Sequence, residues 1–259
     1  MIGGWAFRRE LRQWSRAGQR LAFWWRDDDA REPGPALDRL LRLAARYEAP
    51  LTLAVIPDGD RSDLAARLTH ERLASVIQHG VDHCNISPAG APYAEFAAGC
   101  ETATMTERLV AARSRLLALP RFLPVFAPPW NVVHPDLTPA LRTGGFAALS
   151  AFGENTARAA GLGRIDVHLD LLRWNGGPRF RGETAFLARA ARLARDRRRA
   201  GRWDQPIGLL THHLDHDEAA WGFLDAFLAL TARSEAVQWR GLADLTASDL
   251  YGLQFRAAS

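Results

Sequence analysis

The run LAFWWRDDDA at residues 21–30 constrains the chain more than any other stretch, because five apolar and aromatic residues lead without a break into an arginine and three consecutive carboxylates. Unbroken apolar runs of this kind belong to strands covered on both faces, as in largely parallel sheets. Residues 21–25 therefore predict a buried strand, with Asp27, Asp28 and Asp29 emerging at its C-terminal end. In β/α barrels and open α/β sheets that end collects ligands and catalytic groups. Three adjacent carboxylates repel one another, and the repulsion is relieved by protonation of one, by pairing with Arg26, or by a metal ion among them. On this stretch alone the plainer reading is a solvated acidic turn that caps the next helix.

The remaining periodicities alternate in the same style. Apolar Phe7, Leu11 and Trp14 predict a short amphipathic helix within residues 1–20, packed outside the first strand. A helix is expected from Pro35 to about Tyr47, a buried strand over 51–56, a helix over 62–68 and a β-favouring piece from Ala74. Residues 86–103, rich in Pro, Gly and Ala, predict a long loop that shapes a binding face. Beyond it come a helix over 106–119, a strand at 124–131, a short helix at 139–142 and a strand at 147–152. A strand over 165–174, a helix over 182–199, a strand from Pro206, a helix over 218–231 and a last strand at 237–239 complete the reading. Strand and helix alternating along 259 residues predict one α/β domain.

Composition narrows the partners. The chain is 47% hydrophobic and 24% charged, which is ordinary for a folded protein. Its net charge of +4 comes from arginine alone, and the dense run RLARDRRRAGR at 192–202 ends an Ala-rich helical pattern. A solvated helix face is the expected reading, so no nucleic-acid partner is expected. Two cysteines, Cys84 and Cys100, are too few for a disulfide framework or a cysteine zinc site. The first twenty residues lack the apolar core of a signal peptide and no later stretch is apolar enough to span a bilayer, so a cytoplasmic protein with no membrane partner is expected. Nothing in the sequence fixes the oligomeric state.

Two further groups carry chemistry. His79 and His83 in HGVDH stand four residues apart, which brings both imidazoles to one side of a turn and offers two nitrogens to one metal ion, although surface pairs at this spacing also arise by chance. A catalytic zinc needs three protein ligands plus water, and Asp28 or a neighbour can complete such a set. The strand in PIGLLTHHLDHD runs into His212, His213 and His216, making a third charged strand end. A purely structural role for all these groups requires coincidence at three separate strand ends. Trp130 can stack on a sugar ring or fill core space, and Asp170 and Trp174 are undiagnostic alone.

In order, RDDDA (26–30), HGVDH (79–83), APPWN (127–131), DLLRW (170–174) and LLTH (209–212) resemble the five motifs of the polysaccharide deacetylases, carbohydrate esterase family 4. The resemblance implies an irregular (β/α) barrel of about seven strands over residues 21–259, with the helix of residues 1–20 packed on it. It assigns Asp27 as base, Asp28, His79 and His83 as metal ligands with zinc the expected ion, and Asp29 in place of the usual glycine. The backbone N–H of Trp130 becomes an oxyanion donor, Trp174 a wall of the acyl or sugar pocket, Asp170 a supporting residue and His212 the acid, with His213 the near alternative. The third motif's arginine, which orients the base in the family, falls on Ala127, and Arg26 is the substitute within reach of the sequence. The implied activity is metal-dependent removal of an N-acetyl group from an acetamido sugar or saccharide. The alternatives are a non-catalytic carbohydrate-binding member and a hydrolase of another small C–N amide.

Overall fold

A computed structural model describes residues 2–154 and 161–247; residues 155–160 and 248–259 of the expected barrel lie outside the described residues. In chain order the elements are α1 (Ile2–Arg16), β1 (Leu21–Ala30), α2 (Pro35–Arg46), β2 (Leu51–Val55), α3 (Ser62–Leu68), β3 (Ala74–His79), α4 (Thr102–Ser114), β4 (Phe122–Ala127), α5 (Leu137–Thr143), β5 (Ala148–Leu149) and β6 (Gly163–Arg164). They continue with β7 (Leu169–Asp170), β8 (Leu172–Arg173), β9 (Arg179–Phe180), α6 (Glu183–Arg199), β10 (Ile207–Thr211), α7 (Glu218–Ala232), β11 (Val237–Trp239) and α8 (Leu242–Leu245). The α/β class expected from the alternation is the class found. Contacts divide the chain into two compact units, and β1 contributes residues to Asp27 to the first and residues from Asp28 to the second.

In the first unit β10 lies between β1 and β7, and β11 pairs with the start of β1, all parallel. Phe23, Trp24 and Trp25 are fully buried, which is why the strand's sequence shows no polar alternation. Phe7 of α1 meets Phe23 and Phe227, with ring centroids 6.4 and 6.0 Å away. Helix α1 lies so close to α6 that a Cβ on Gly3 would sit 2.6 Å from the Thr184 carbonyl oxygen, so only glycine fits there. The Trp14 indole N–H donates to the Ala194 carbonyl and Arg198 pairs with Glu10 across the same contact. The N-terminal helix is thus part of this unit's core; truncating a buried aromatic such as Phe7 or Trp14 to alanine costs about 3–5 kcal/mol.

The strand expected over 165–174 is broken in two. Asp170 closes β7, its Oδ1 accepting the Leu172 N–H at 2.9 Å, and this short-range turn sends residues 172–173 into an antiparallel pair with β9 instead of onward in the parallel sheet. Beneath β7 the His168 ring is buried among cations. Its Nδ1 accepts the Gly208 N–H at 2.9 Å and its Nε2 lies 3.1 Å from Arg197 Nη2, so a second ring proton would find donors on both sides. Burial, then Arg197 and Arg189, push its pKa down to about 3. The unfolded ring titrates near 6.5, so between about pH 3 and 6.5 the unfolded chain binds the extra proton and stability rises with pH. His168→Gln should therefore flatten the stability–pH curve by about 2 kcal/mol between pH 4.5 and 7, read by urea unfolding at several pH values. An unchanged slope would show that His168 does not set it.

The second unit holds strands in the order β2-β3-β4-β5-β6, with β3 through β6 parallel. Its core joins Phe126 and Leu149 of the sheet to Met105 and Leu109 of α4 and Leu137 and Leu141 of α5, with Phe146 edge-on to Phe126. Both cysteines are free, and among the described residues no helix is long and apolar enough to cross a membrane.

Candidate active-site residues

Strand β1 runs through all three aspartates to Ala30, so the carboxylates lie within its last residues instead of in a turn beyond it. Their fates differ. Asp27 is fully buried and bound on both oxygens: Oδ2 accepts the Thr211 hydroxyl at 2.6 Å and the His213 N–H at 3.1 Å, and Oδ1 lies 2.5 Å from His213 Nδ1. Thr211 stands opposite Asp27 in the β1–β10 register and its hydroxyl accepts the Trp25 indole N–H. Burial alone would raise the Asp27 carboxyl, but the charge and hydrogen bond of His213 and the Thr211 hydroxyl hold it below the usual carboxylate value. Such a carboxylate ties β1 to the turn after β10.

In the second unit Asp29, at φ 69°, lies in the left-handed region, which breaks the strand's side-chain alternation and turns its carboxylate toward the histidines. Oδ1 of Asp29 lies 3.2 Å from Nε2 of both His79 and His83. The carboxylate grouped with the two histidines is Asp29, where the motif assigned Asp28, one residue earlier along β1. Asp28, also buried, precedes it.

Strand β3 delivers His79 at its last residue, and His83 follows in a turn where it too has positive φ, 59°. His79 Nδ1 is 3.1 Å from the Ala127 carbonyl oxygen, which only accepts, so the ring proton is on Nδ1 and the Nε2 lone pair faces Asp29. A lone pair and a carboxylate oxygen aimed at one another repel unless a cation lies between them. The donor set, two imidazoles and one carboxylate with all ligand atoms within 4.8 Å, fits a divalent metal, and the backbone carbonyl behind His79 is the orienting partner that such ligands take.

The remaining candidate residues divide between the two units. In the second unit, Trp130 follows Pro128 and Pro129 with φ 53°, and its ring packs on His83 (4.7 Å) and Tyr93 (5.3 Å), so it braces the His83 ring. Ala127 is fully buried, and its carbonyl also accepts the Gly80 N–H at 3.0 Å. In the first unit, Asp170 accepts the Trp174 indole N–H at 2.9 Å, and the Trp174 ring stands edge-on to His212 at 4.6 Å. Burial raises the Asp170 carboxyl, opposed by the charge of His212 and the Trp174 N–H. His213, the alternative acid, is committed to Asp27, and Arg26 is fully buried in β1 opposite Leu210.

Sequence reading missed Glu95. This residue lies in the expected loop, is 5% exposed, and its Oε1 accepts the N–H groups of Val81, Asp82 and His83 at 2.7, 2.9 and 2.8 Å. No motif marks it; the only local hint is Gly80, where a Cβ would meet Oε1 at 2.5 Å. The same loop helps line a cavity of about 660 Å³ with Ile86, Phe96, Pro129 and Val132.

No family model matches the sequence, and no curated protein matches it. Solved structures do match in fold. A protein from Mycobacterium smegmatis, provisionally described as a polysaccharide deacetylase, is 16% identical and covers 92% of both chains at a TM-score of 0.64. A family 4 acetyl xylan esterase from Clostridium thermocellum, in complex with a cobalt ion, is 14% identical over 88% of this chain and 91% of its own at 0.53. A family 4 pseudoenzyme from Bacillus anthracis is 14% identical over 88% of this chain and 66% of its own at 0.55. The chain has the polysaccharide deacetylase fold, the irregular (β/α) barrel of carbohydrate esterase family 4 that its motifs led one to expect.

Proposed function

We propose that the protein is a metal-dependent hydrolase that removes the N-acetyl group of an acetamido sugar or saccharide. The observation that carries this reading is the Asp29, His79 and His83 cluster on a deacetylase fold. These three residues would hold a divalent ion, with zinc the expected one; a cobalt ion is bound in the acetyl xylan esterase of the same fold. When bound, such an ion acts as a Lewis acid and makes water a nucleophile at neutral pH.

The protein's own groups do the rest. With Asp29 as ligand, the roles that the sequence gives to Asp27 and Asp28 move one residue along β1, and Asp28 becomes the base that takes a proton from the attacking water. Asp27 cannot serve, because two side-chain donors and a backbone N–H already occupy it. The Trp130 N–H is the assigned donor to the oxyanion that forms as the amide carbonyl is attacked. His212 then protonates the nitrogen as the C–N bond breaks, leaving acetate and a free amine. The charge of His212 acts on the buried Asp170 carboxyl, and Trp174, bound to Asp170, closes one side of the His212 ring. An amine leaves only when protonated, so an acid at His212 favours the amide reading.

Ala127 supports the competing non-catalytic reading, because the family's base-orienting arginine is missing there and a pseudoenzyme shares the fold. Arg26, two residues before Asp28, is the proposed substitute. Acetate release from N-acetylated monosaccharides, nucleotide sugars and short oligosaccharides, measured against pH with zinc-loaded protein, tests both. Turnover is expected, and Arg26→Ala should slow it with zinc content unchanged, because the base would lose its orienting cation. Zinc-loaded protein inactive on every acetamide would overturn the hydrolase reading, and identical profiles would remove Arg26 from the mechanism.

A further inference from the structure

The turn between the two histidines is anchored from outside the motif. Three successive backbone N–H groups, at Val81, Asp82 and His83, converge on one oxygen of Glu95. Consecutive amides turned to one side form a concavity that binds anions, and here the chain supplies its own anion. The approach is possible because Gly80 has no Cβ: one built there would lie 2.5 Å from Glu95 Oε1 and 2.6 Å from Pro129 Cγ. Glu95 is carried back to the turn by a closed loop, in which the Ile86 N–H bonds the Ala94 carbonyl at 3.0 Å and Asn85 Oδ1 accepts the Ala94 N–H at 3.1 Å. On its other side the turn is tied by the Gly80 N–H to Ala127, the same carbonyl that orients His79.

We infer that Glu95 is a positioning residue that fixes the His79–His83 turn in its ligating conformation and thereby sets metal affinity; the inference rests on the metal reading above. The geometry gives the reason. His83 holds a left-handed backbone conformation that a non-glycine residue adopts only when its surroundings impose it. The three amides that impose it bind a buried carboxylate, and hydrogen bonds to a charged group contribute more than neutral ones. Without that anchor the turn relaxes, and His83 must be reordered each time a metal binds.

Two readouts test this on the full chain. Hydrogen exchange of the metal-free protein follows the amides of residues 81–83, and zinc titration by calorimetry gives affinity. Glu95→Ala should accelerate exchange at these amides about tenfold or more, as expected for losing charge-assisted bonds, and weaken zinc about 10–100-fold. Glu95→Gln, which keeps an acceptor oxygen, should recover much of both and guards against a folding defect in the alanine variant. Gly80→Ala should mimic Glu95→Ala with Glu95 intact, because its methyl displaces the carboxylate. Unchanged exchange in Glu95→Ala, or faster exchange with unchanged zinc affinity, overturns the proposal. Loss of zinc in His83→Ala under the same conditions keeps that failure distinct from failure of the metal reading, which would appear as no zinc uptake by the parent and would overturn both.

Discussion

Asp29→Ala leaves the protein with little or no bound zinc, whereas Asp28→Asn keeps its zinc and loses about 10²- to 10⁴-fold in turnover, the usual cost of removing a positioned base. The expectation follows from the one-residue difference between motif and structure: Oδ1 of Asp29 faces both imidazoles at 3.2 Å. His79→Ala and His83→Ala should match Asp29→Ala, because a three-ligand site that loses one ligand no longer completes the set a catalytic zinc requires. Metal content by elemental analysis of purified variants, together with acetate release, separates the two outcomes. If Asp28→Asn is metal-free and Asp29→Ala retains zinc, the register read from the motif is correct and the left-handed turn at Asp29 has no functional meaning.

That register marks the limit of what the sequence could say. The strand at 21–25, the helix at 62–68 and the histidine turn were legible because burial on both faces, helical periodicity and a four-residue histidine step leave direct marks in residue order. Which of three identical carboxylates meets the histidines leaves no such mark. Alternation along a strand assigns faces by parity, and a single residue at φ 69° cancels it. The strand over 165–174 was misjudged for a related reason: the apolar pattern of IDVHLDLLRW continues smoothly, but a side-chain bond from Asp170 to the Leu172 N–H ends the parallel strand. Glu95 was illegible for a third reason. Its partners are backbone amides, which every sequence offers equally, so only the folded loop shows that a carboxylate twelve residues beyond His83 belongs to the His79–His83 turn.

His212→Ala should retain zinc and lose turnover by about 10²- to 10⁴-fold, whereas His213→Ala should act mainly on stability. The two rings are neighbours in sequence and face different partners. His212 stands against Trp174, and its charge acts on the buried Asp170 carboxyl. His213 is itself buried and bound to Asp27, which also takes the Thr211 hydroxyl and the His213 N–H. Removing the His213 side chain leaves Asp27 a buried carboxylate with its principal cationic partner gone, and breaking a buried pair in this way costs about 3–5 kcal/mol. The measurements are therefore zinc content, denaturant midpoint and acetate release for both variants. On an ester analogue whose leaving group departs without protonation, His212→Ala should recover much of the lost rate, because the missing acid is no longer needed. No recovery on that analogue, or full N-deacetylation by His212→Ala with His213→Ala folded and inactive, would transfer the acid role away from His212.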